Sequence, residues 1–133
     1  MPQEYCLPIR VYVEDTDAGG IVYYANYLKY IERARTELIR TLGYDKPALF
    51  GDLQFVVHSV EIKYRQPAVL DDEIVATARL TAVSRTSFTI AQKVLRNDKV
   101  LVDAVVKVAC ISQEKKRPSA IPDDMLKVLQ AAV

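Results

Sequence analysis

Three carboxylates, two glycines and three tyrosines crowd into Glu14-Asp15-Thr16-Asp17-Ala18-Gly19-Gly20-Ile21-Val22-Tyr23-Tyr24-Ala25-Asn26-Tyr27. A carboxylate-rich turn passes two glycines and enters an apolar, aromatic stretch. Gly19 and Gly20 allow tight backbone geometry there. If a helix starts after the glycines, its unbonded N–H groups form a ready site for negative charge. Such groups stabilise the oxyanion that forms when a carbonyl is attacked. A carboxylate on the preceding turn would attack that carbonyl or activate a water. Acyl transfer is then possible with neither Ser nor His. Asp-x-Asp-x-Gly is also ordinary turn composition, in which aspartates only bond the backbone. Spacing alone does not select catalysis.

Other catalytic signatures are absent. The chain has no G-x-S-x-G elbow, no P-loop and no dinucleotide fingerprint. Its one histidine, His58, lies in a strand-like run and reads as structural. Cys6 and Cys110 show no metal-ligand spacing, so no metal site is expected. Two cysteines do not make a disulfide framework in a chain that can build its own core.

The elements that would position the turn follow from periodicity. Ile9 to Glu14 is the first strand candidate, rich in Ile, Val and Tyr. From Tyr27 the apolar or large residues fall at Tyr27, Leu28, Ile31, Ala34, Leu38, Ile39 and Leu42, one face of a helix. Asn26 is its candidate N-cap and Gly43 its C′ residue. Phe55 to Tyr64 is extended in character. Glu73 to Val83 alternates, with Ile74, Ala76, Ala78, Leu80 and Ala82 on one face, and Phe88 to Arg96 alternates again. Val100 to Ile111 is the longest run, with Val100, Val102, Ala104, Val106 and Val108 on one face. A short helix starts near Pro122, burying Met125, Leu126 and Leu129. The short turns Ser84-Arg85-Thr86 and Asn97-Asp98 favour antiparallel neighbours. The result is an α+β domain, one sheet of about five strands packed on one long helix.

The 133 residues suit a single domain, 1–133. With 18 Lys and Arg against 17 Asp and Glu, the net charge of +1 argues against a nucleic-acid binder. Lys115-Lys116-Arg117, the one dense basic run, reads as a solvated loop or a weak phosphate contact. No basic region followed by an apolar run marks a signal peptide, and no apolar stretch reaches the length of a membrane span. The expected compartment is the cytoplasm. Glu32–Arg35 and Arg33–Glu37 are spaced for ion pairs along the helix. Tyr23, Tyr24, Tyr27 and Tyr30 form an aromatic cluster at its start, mostly core by expectation.

Val11-Tyr12-x-Glu14-Asp15-Thr16-Asp17-Ala18-Gly19-Gly20-Ile21-Val22-Tyr23-Tyr24-Ala25-Asn26-Tyr27-Leu28, continued by Glu32-Arg33-Ala34-Arg35-Thr36-Glu37, resembles the signature of the 4-hydroxybenzoyl-CoA thioesterase family of hotdog proteins. The nearest branch is the one associated with the bacterial Tol–Pal system. The resemblance continues through Phe55-Val56-Val57, Tyr64-x-x-Pro67-Ala68-x-Leu70-Asp71-Asp72 and Arg85-Thr86-Ser87-Phe88, and covers nearly the whole chain.

That resemblance implies a hotdog fold, a curved antiparallel sheet wrapped around the long helix. It implies homodimers with two active sites at the interface, often assembled into homotetramers, and an acyl-CoA substrate hydrolysed without metal or redox cofactor. Asp17 matches the family's catalytic aspartate. Tyr24 falls where a backbone N–H polarises the thioester carbonyl. His is usual there in the nearest branch, so a backbone role carries over and a histidine side-chain role does not. Gly20 and Tyr23 are substrate-binding candidates. Arg85 matches a segment that can contact the coenzyme's phosphates, and guanidinium suits phosphate geometry. Asp15 is expected to bond turn amides. Two rivals stand beside this reading: a hotdog hydratase or dehydratase, and a non-catalytic module binding acyl-CoA or acyl-carrier protein.

Overall fold

The computed structural model describes residues 4–44 and 49–133. The strands are β1 (Glu4–Arg10), β2 (Leu49–Phe50), β3 (Leu53–Tyr64), β4 (Glu73–Val83), β5 (Ser87–Arg96), β6 (Lys99–Ser112) and β7 (Arg117–Pro118); the helices are α1 (Asn26–Thr41) and α2 (Asp123–Ala131). All pair antiparallel in one sheet, ordered β1-β4-β5-β6-β3-β2, with β7 beside β6. Five strands are long and two have two residues each, which agrees with the expected sheet around one long helix.

The helix forms where its periodicity placed it. Tyr27, Tyr30, Ile31, Ala34, Leu38 and Ile39 are buried on the sheet. Burying each of the aliphatic side chains Ile31, Leu38 and Ile39 stabilises the fold by about 1.5–3 kcal/mol. Leu28 is the exception, 41% exposed. Asn26 is the first helical residue rather than the cap; Ala25 occupies the cap position, with no side-chain bond. The Asn26 amide instead reaches back 2.8 Å to the Asp15 carbonyl. Gly43, at φ 106°, ends the helix as expected.

The first strand differs from the sequence reading. It runs from Glu4 to Arg10, and Val13–Asp15 form a 3-10 turn instead of continuing it. Two causes are local. Pro8 suits β1 because β1 is an edge strand. Beyond it, Asp15 Oδ2 accepts the Tyr12 N–H at 2.8 Å, drawing the chain out of the ladder.

Strand β4 has the expected bounds and buries Ile74, Ala76, Ala78 and Leu80. Ala82 is exposed, because a register shift between Leu80 and Ala82 turns it off that face. Asn97 and Asp98 take φ 51° and 67°, both left-handed, and join β5 to β6 without a glycine. The consecutive strands β3 and β4 are not neighbours. β3 pairs with β6 on the far side of the sheet, and segment 65–72 crosses back to β4. Asp71, at φ 69°, and Asp72 turn the chain into β4. In α2, Met125 and Leu129 are buried and Leu126 half-buried; Pro122 is the cap rather than the first helical residue. Among the described residues, no helix is long and apolar enough to cross a membrane.

Candidate active site

Loop 11–25 carries the carboxylates from β1 to α1 and is tied at several points. Thr16 bridges Val22 in antiparallel fashion, and the Asp17 N–H donates to the Ile21 carbonyl at 2.9 Å. Residues 17–21 therefore form a closed tip. Gly20, exposed and at φ 80°, supplies the left-handed residue that tip needs.

The carboxylate of Asp17 is held at one oxygen. Its Oδ1 accepts the Gly19 N–H at 2.8 Å, and among the described residues no ion pair holds this exposed side chain. A methyl group on Gly19 would sit 3.3 Å from Asp17 Oδ1. Gly19→Ala is therefore expected to displace the carboxylate, not the fold. Turnover should drop several-fold with a melting temperature near wild type, read by a steady-state assay beside a thermal melt. Unchanged kcat would mean that the orientation of this carboxylate is irrelevant.

Asp15 is structural, as expected. Beyond its bond to Tyr12, its carbonyl accepts the Tyr23 N–H at 2.9 Å and the Asn26 side chain. These bonds fix the approach to α1. The N–H groups of Asn26, Tyr27 and Leu28 close onto the carbonyls of Tyr23, Tyr24 and Ala25. Among the described residues, the N–H groups of Tyr24 and Ala25 then make no backbone hydrogen bond. They are the free donors of the helix start, on the same short loop as Asp17.

Segment 65–72 supports this loop from behind. The Val22 N–H donates to the Ala68 carbonyl at 2.9 Å, and Ile21 bridges Val69. The Ala68 N–H donates to the buried Tyr27 hydroxyl at 2.9 Å. Asp72 Oδ2 takes the Val69 N–H and forms a 2.6 Å ion pair with Arg96. Tyr27 and Tyr30 are core, while Tyr23 and Tyr24 are 48% and 61% exposed. Tyr64, at the end of β3, meets Tyr24 edge-on at 6.0 Å, so an aromatic wall stands beside the free amides. Burial, then the nearby Asp15 carboxylate, pushes the Tyr30 phenol up.

Arg85 stands elsewhere. It is exposed in the β4–β5 turn, at the end of β4 opposite the Asp17 loop. The 11 residues of β4 separate them, about 35 Å of strand. One copy of the chain does not bring Arg85 to Asp17. Exposed His58 lies at the β-bulge of β3, between Val57 and Ser59.

Among the described residues, neither Glu32–Arg35 nor Arg33–Glu37 comes within ion-pair distance. Glu37 meets Arg40 at 3.4 Å, and Arg33 lies over the Tyr30 ring. Arg35 points inward, where its Nη1 donates to Gln92 Oε1 at 3.0 Å. Burial lowers the Arg35 pKa, with Glu32 opposing that shift. Gln92 is fully buried and its amide donates to the carbonyls of Ile31 and Thr77. The sequence reading missed this network. A glutamine at the apolar phase of β5, between Ile90 and Val94, was the available signal.

A groove of about 490 Å³ opens between α1 and the sheet. Leu28, Ile39, Phe55, Val57, Val60 and Phe88 are among its apolar walls, and Arg35 and Glu32 also line it. Leu28 is one helical turn beyond Tyr24.

The family model of the thioesterase superfamily matches residues 19–102. The chain belongs to that superfamily. Its relatives include a protein of Haemophilus influenzae named acyl-CoA thioesterase YbgC, 42% identical over 123 residues, 91% of this chain and 90% of that one. An Escherichia coli protein named acyl-CoA thioester hydrolase YbgC is 38% identical over 121 residues, 90% of each chain. Among solved structures, a probable thioesterase from Bartonella henselae superposes with TM-score 0.82 at 34% identity, covering 90% of this chain and 100% of that one. The superfamily placement and the sheet wrapped on α1 agree with the hotdog expectation. The matched region begins just after Asp17, so the role of that residue rests on geometry and motif.

Proposed function

We propose that this protein hydrolyses an acyl-CoA thioester to a free acid and coenzyme A, with Asp17 as nucleophile or as general base on water. The carrying observation is one short loop that presents a carboxylate held by a single bond beside two free amides at a helix start. The Tyr24 amide polarises the thioester carbonyl and takes the charge that develops on its oxygen. Gly20 keeps the tip open to the substrate, and Tyr23 and Tyr24 wall the approach. The names of the relatives support acyl-CoA as the substrate. Hydration of an enoyl thioester is disfavoured because it usually needs a positioned acid–base pair, and His58 sits on a bulge of β3, outside the loop.

The working unit is a dimer, which assembles further into tetramers. Beyond Gln54, no strand among the described residues pairs with the outer edge of β3. An open edge of this length favours a partner strand. A second copy paired antiparallel there would bring its own Arg85 turn to the Asp17 end of the first sheet. That arrangement reconciles Arg85 as a phosphate contact with its distance from Asp17 in one chain. The protein works in the cytoplasm, on acyl-CoA or on the acyl-carrier protein that bears the same thioester.

The test is thiol release from short, long and aromatic acyl-CoAs. No turnover on any of them, from folded protein that binds acyl-CoA, would move the protein to the binding-module class. Tyr24→Phe is expected to retain kcat within about twofold, because the proposed donor is a backbone N–H. A loss of a hundredfold or more in that assay would assign the work to the phenol instead.

A further inference from the structure

Arg35 is an odd residue to find in the α1–β3 groove. Most of the walls are carbon, among them Ile39, Phe55, Val57, Val60, Phe88 and Ile90, while Lys29, Glu32 and Thr36 line the helix side and Glu32 acts on Arg35 only through space. Guanidinium carries five donors. Among the described residues, Arg35 spends one on Gln92 and has no carboxylate within ion-pair distance. Gln92 is itself locked by two bonds to backbone carbonyls, so its oxygen is fixed and the guanidinium with it. A partly buried cation is costly unless something satisfies it. This one is held in place by a buried support and borders the space where a ligand would lie.

The groove's position names the ligand. Its near end, Leu28, is one turn beyond Tyr24, whose free N–H is the carbonyl site of the proposed function. Arg35 lies seven residues further, about 10 Å along the helix axis. An acyl group bound at Tyr24 and running along α1 reaches Arg35 with its far end. A bare alkyl chain of that length would strip water from the guanidinium and return nothing. An oxygen there would accept its free donors. Sites built this way reject analogues that lack the hydrogen-bonding group.

We propose that Arg35, held by Gln92, is a specificity residue that selects acyl groups bearing an oxygen acceptor, a hydroxyl or a carboxylate, at the end remote from the thioester. The proposal rests on the thioesterase reading and deepens it.

The experiment uses the wild-type chain and straight-chain acyl-CoAs from short to long, each with its ω-hydroxy and ω-carboxy counterpart. kcat/KM is measured for every pair, and Kd on the Asp17→Asn variant, so that a preference registers without turnover. At lengths that reach Arg35, the oxygenated member is expected to be favoured by roughly ten- to a hundredfold, the range for a hydrogen bond to a charged group. Shorter pairs should show little difference. Arg35→Met should flatten the preference and raise the rate on long plain chains, and Arg35→Lys should restore part of it. Turnover without any preference at any length overturns the role of Arg35 and leaves the thioesterase reading intact. No turnover, with the preference visible in Kd, does the reverse. Should Arg35→Met fail to fold, the wild-type pairs decide alone.

Discussion

Asp17→Asn is expected to lower kcat for acyl-CoA hydrolysis by about 10²–10⁴-fold, the usual contribution of a positioned acid or base. Thermal stability and acyl-CoA affinity should stay near wild type. The geometry separates the two effects. Asp17 Oδ1 accepts the Gly19 N–H, and an asparagine carbonyl oxygen in the same place still accepts it, more weakly because it is neutral. The Asp17 N–H bond to Ile21 and the Thr16–Val22 bridge are backbone interactions and survive the change. The side chain is exposed and, among the described residues, pairs with no cation, so no buried partner is orphaned. What disappears is the negative charge. A neutral amide neither attacks a thioester carbonyl usefully nor takes a proton from water. Thiol release on the best substrate, with a melt and a binding isotherm on the same preparation, checks all three statements. A folded variant turning over at the wild-type rate would sink the role given to Asp17. An equal loss of stability would mean that this carboxylate holds the loop rather than serving the reaction.

Legibility in the sequence followed the range of the interactions involved. Helix α1 and strand β4 were readable because local periodicity and tertiary burial agree there. Strand β1 was misplaced because propensity favoured Ile9 to Glu14, whereas the chain is turned by a side chain, Asp15, bonding the Tyr12 N–H. Ala82 left its predicted face because one register shift reverses side-chain direction, and composition does not encode a bulge. The Asp17 turn was visible as chemistry that could happen, and the family resemblance gave it a role. The supports behind it were less visible. Tyr27 holds Ala68 across 41 residues and Arg96 holds Asp72 across 24. Helix charges were read as neighbours in sequence, yet Arg35 found its partner 57 residues away. Arg85 shows the same limit at a larger scale, since the 11 residues of β4 hold its turn away from the Asp17 loop.

That buried partner carries the largest expected effect on stability. Gln92→Leu keeps the shape roughly and removes three hydrogen bonds at once, to Arg35 and to the carbonyls of Ile31 and Thr77. The bonds themselves contribute modestly; the groups left behind dominate. The Arg35 guanidinium loses its fixed acceptor in a partly buried setting. The Thr77 carbonyl sits where the β4–β5 ladder is interrupted, since Thr77 and Ala78 have no strand partner on β5. The Gln92 side chain fills that gap from within. Each orphaned buried group costs about 1–3 kcal/mol, and more when charged. The Ile31 carbonyl belongs to a helix and keeps its other bond, so it adds little. A loss of about 3–4 kcal/mol is therefore expected, or roughly 10 °C in Tm for a chain of this length. Differential scanning calorimetry of Gln92→Leu beside Arg35→Met divides the cost between the two groups. If both variants melt within a degree or two of wild type, the network is ornamental and α1 is held by its apolar face alone. If Gln92→Leu costs several times more than Arg35→Met, the carbonyl gap is the weak point of the sheet. The guanidinium is then a passenger on a glutamine that the fold requires for itself.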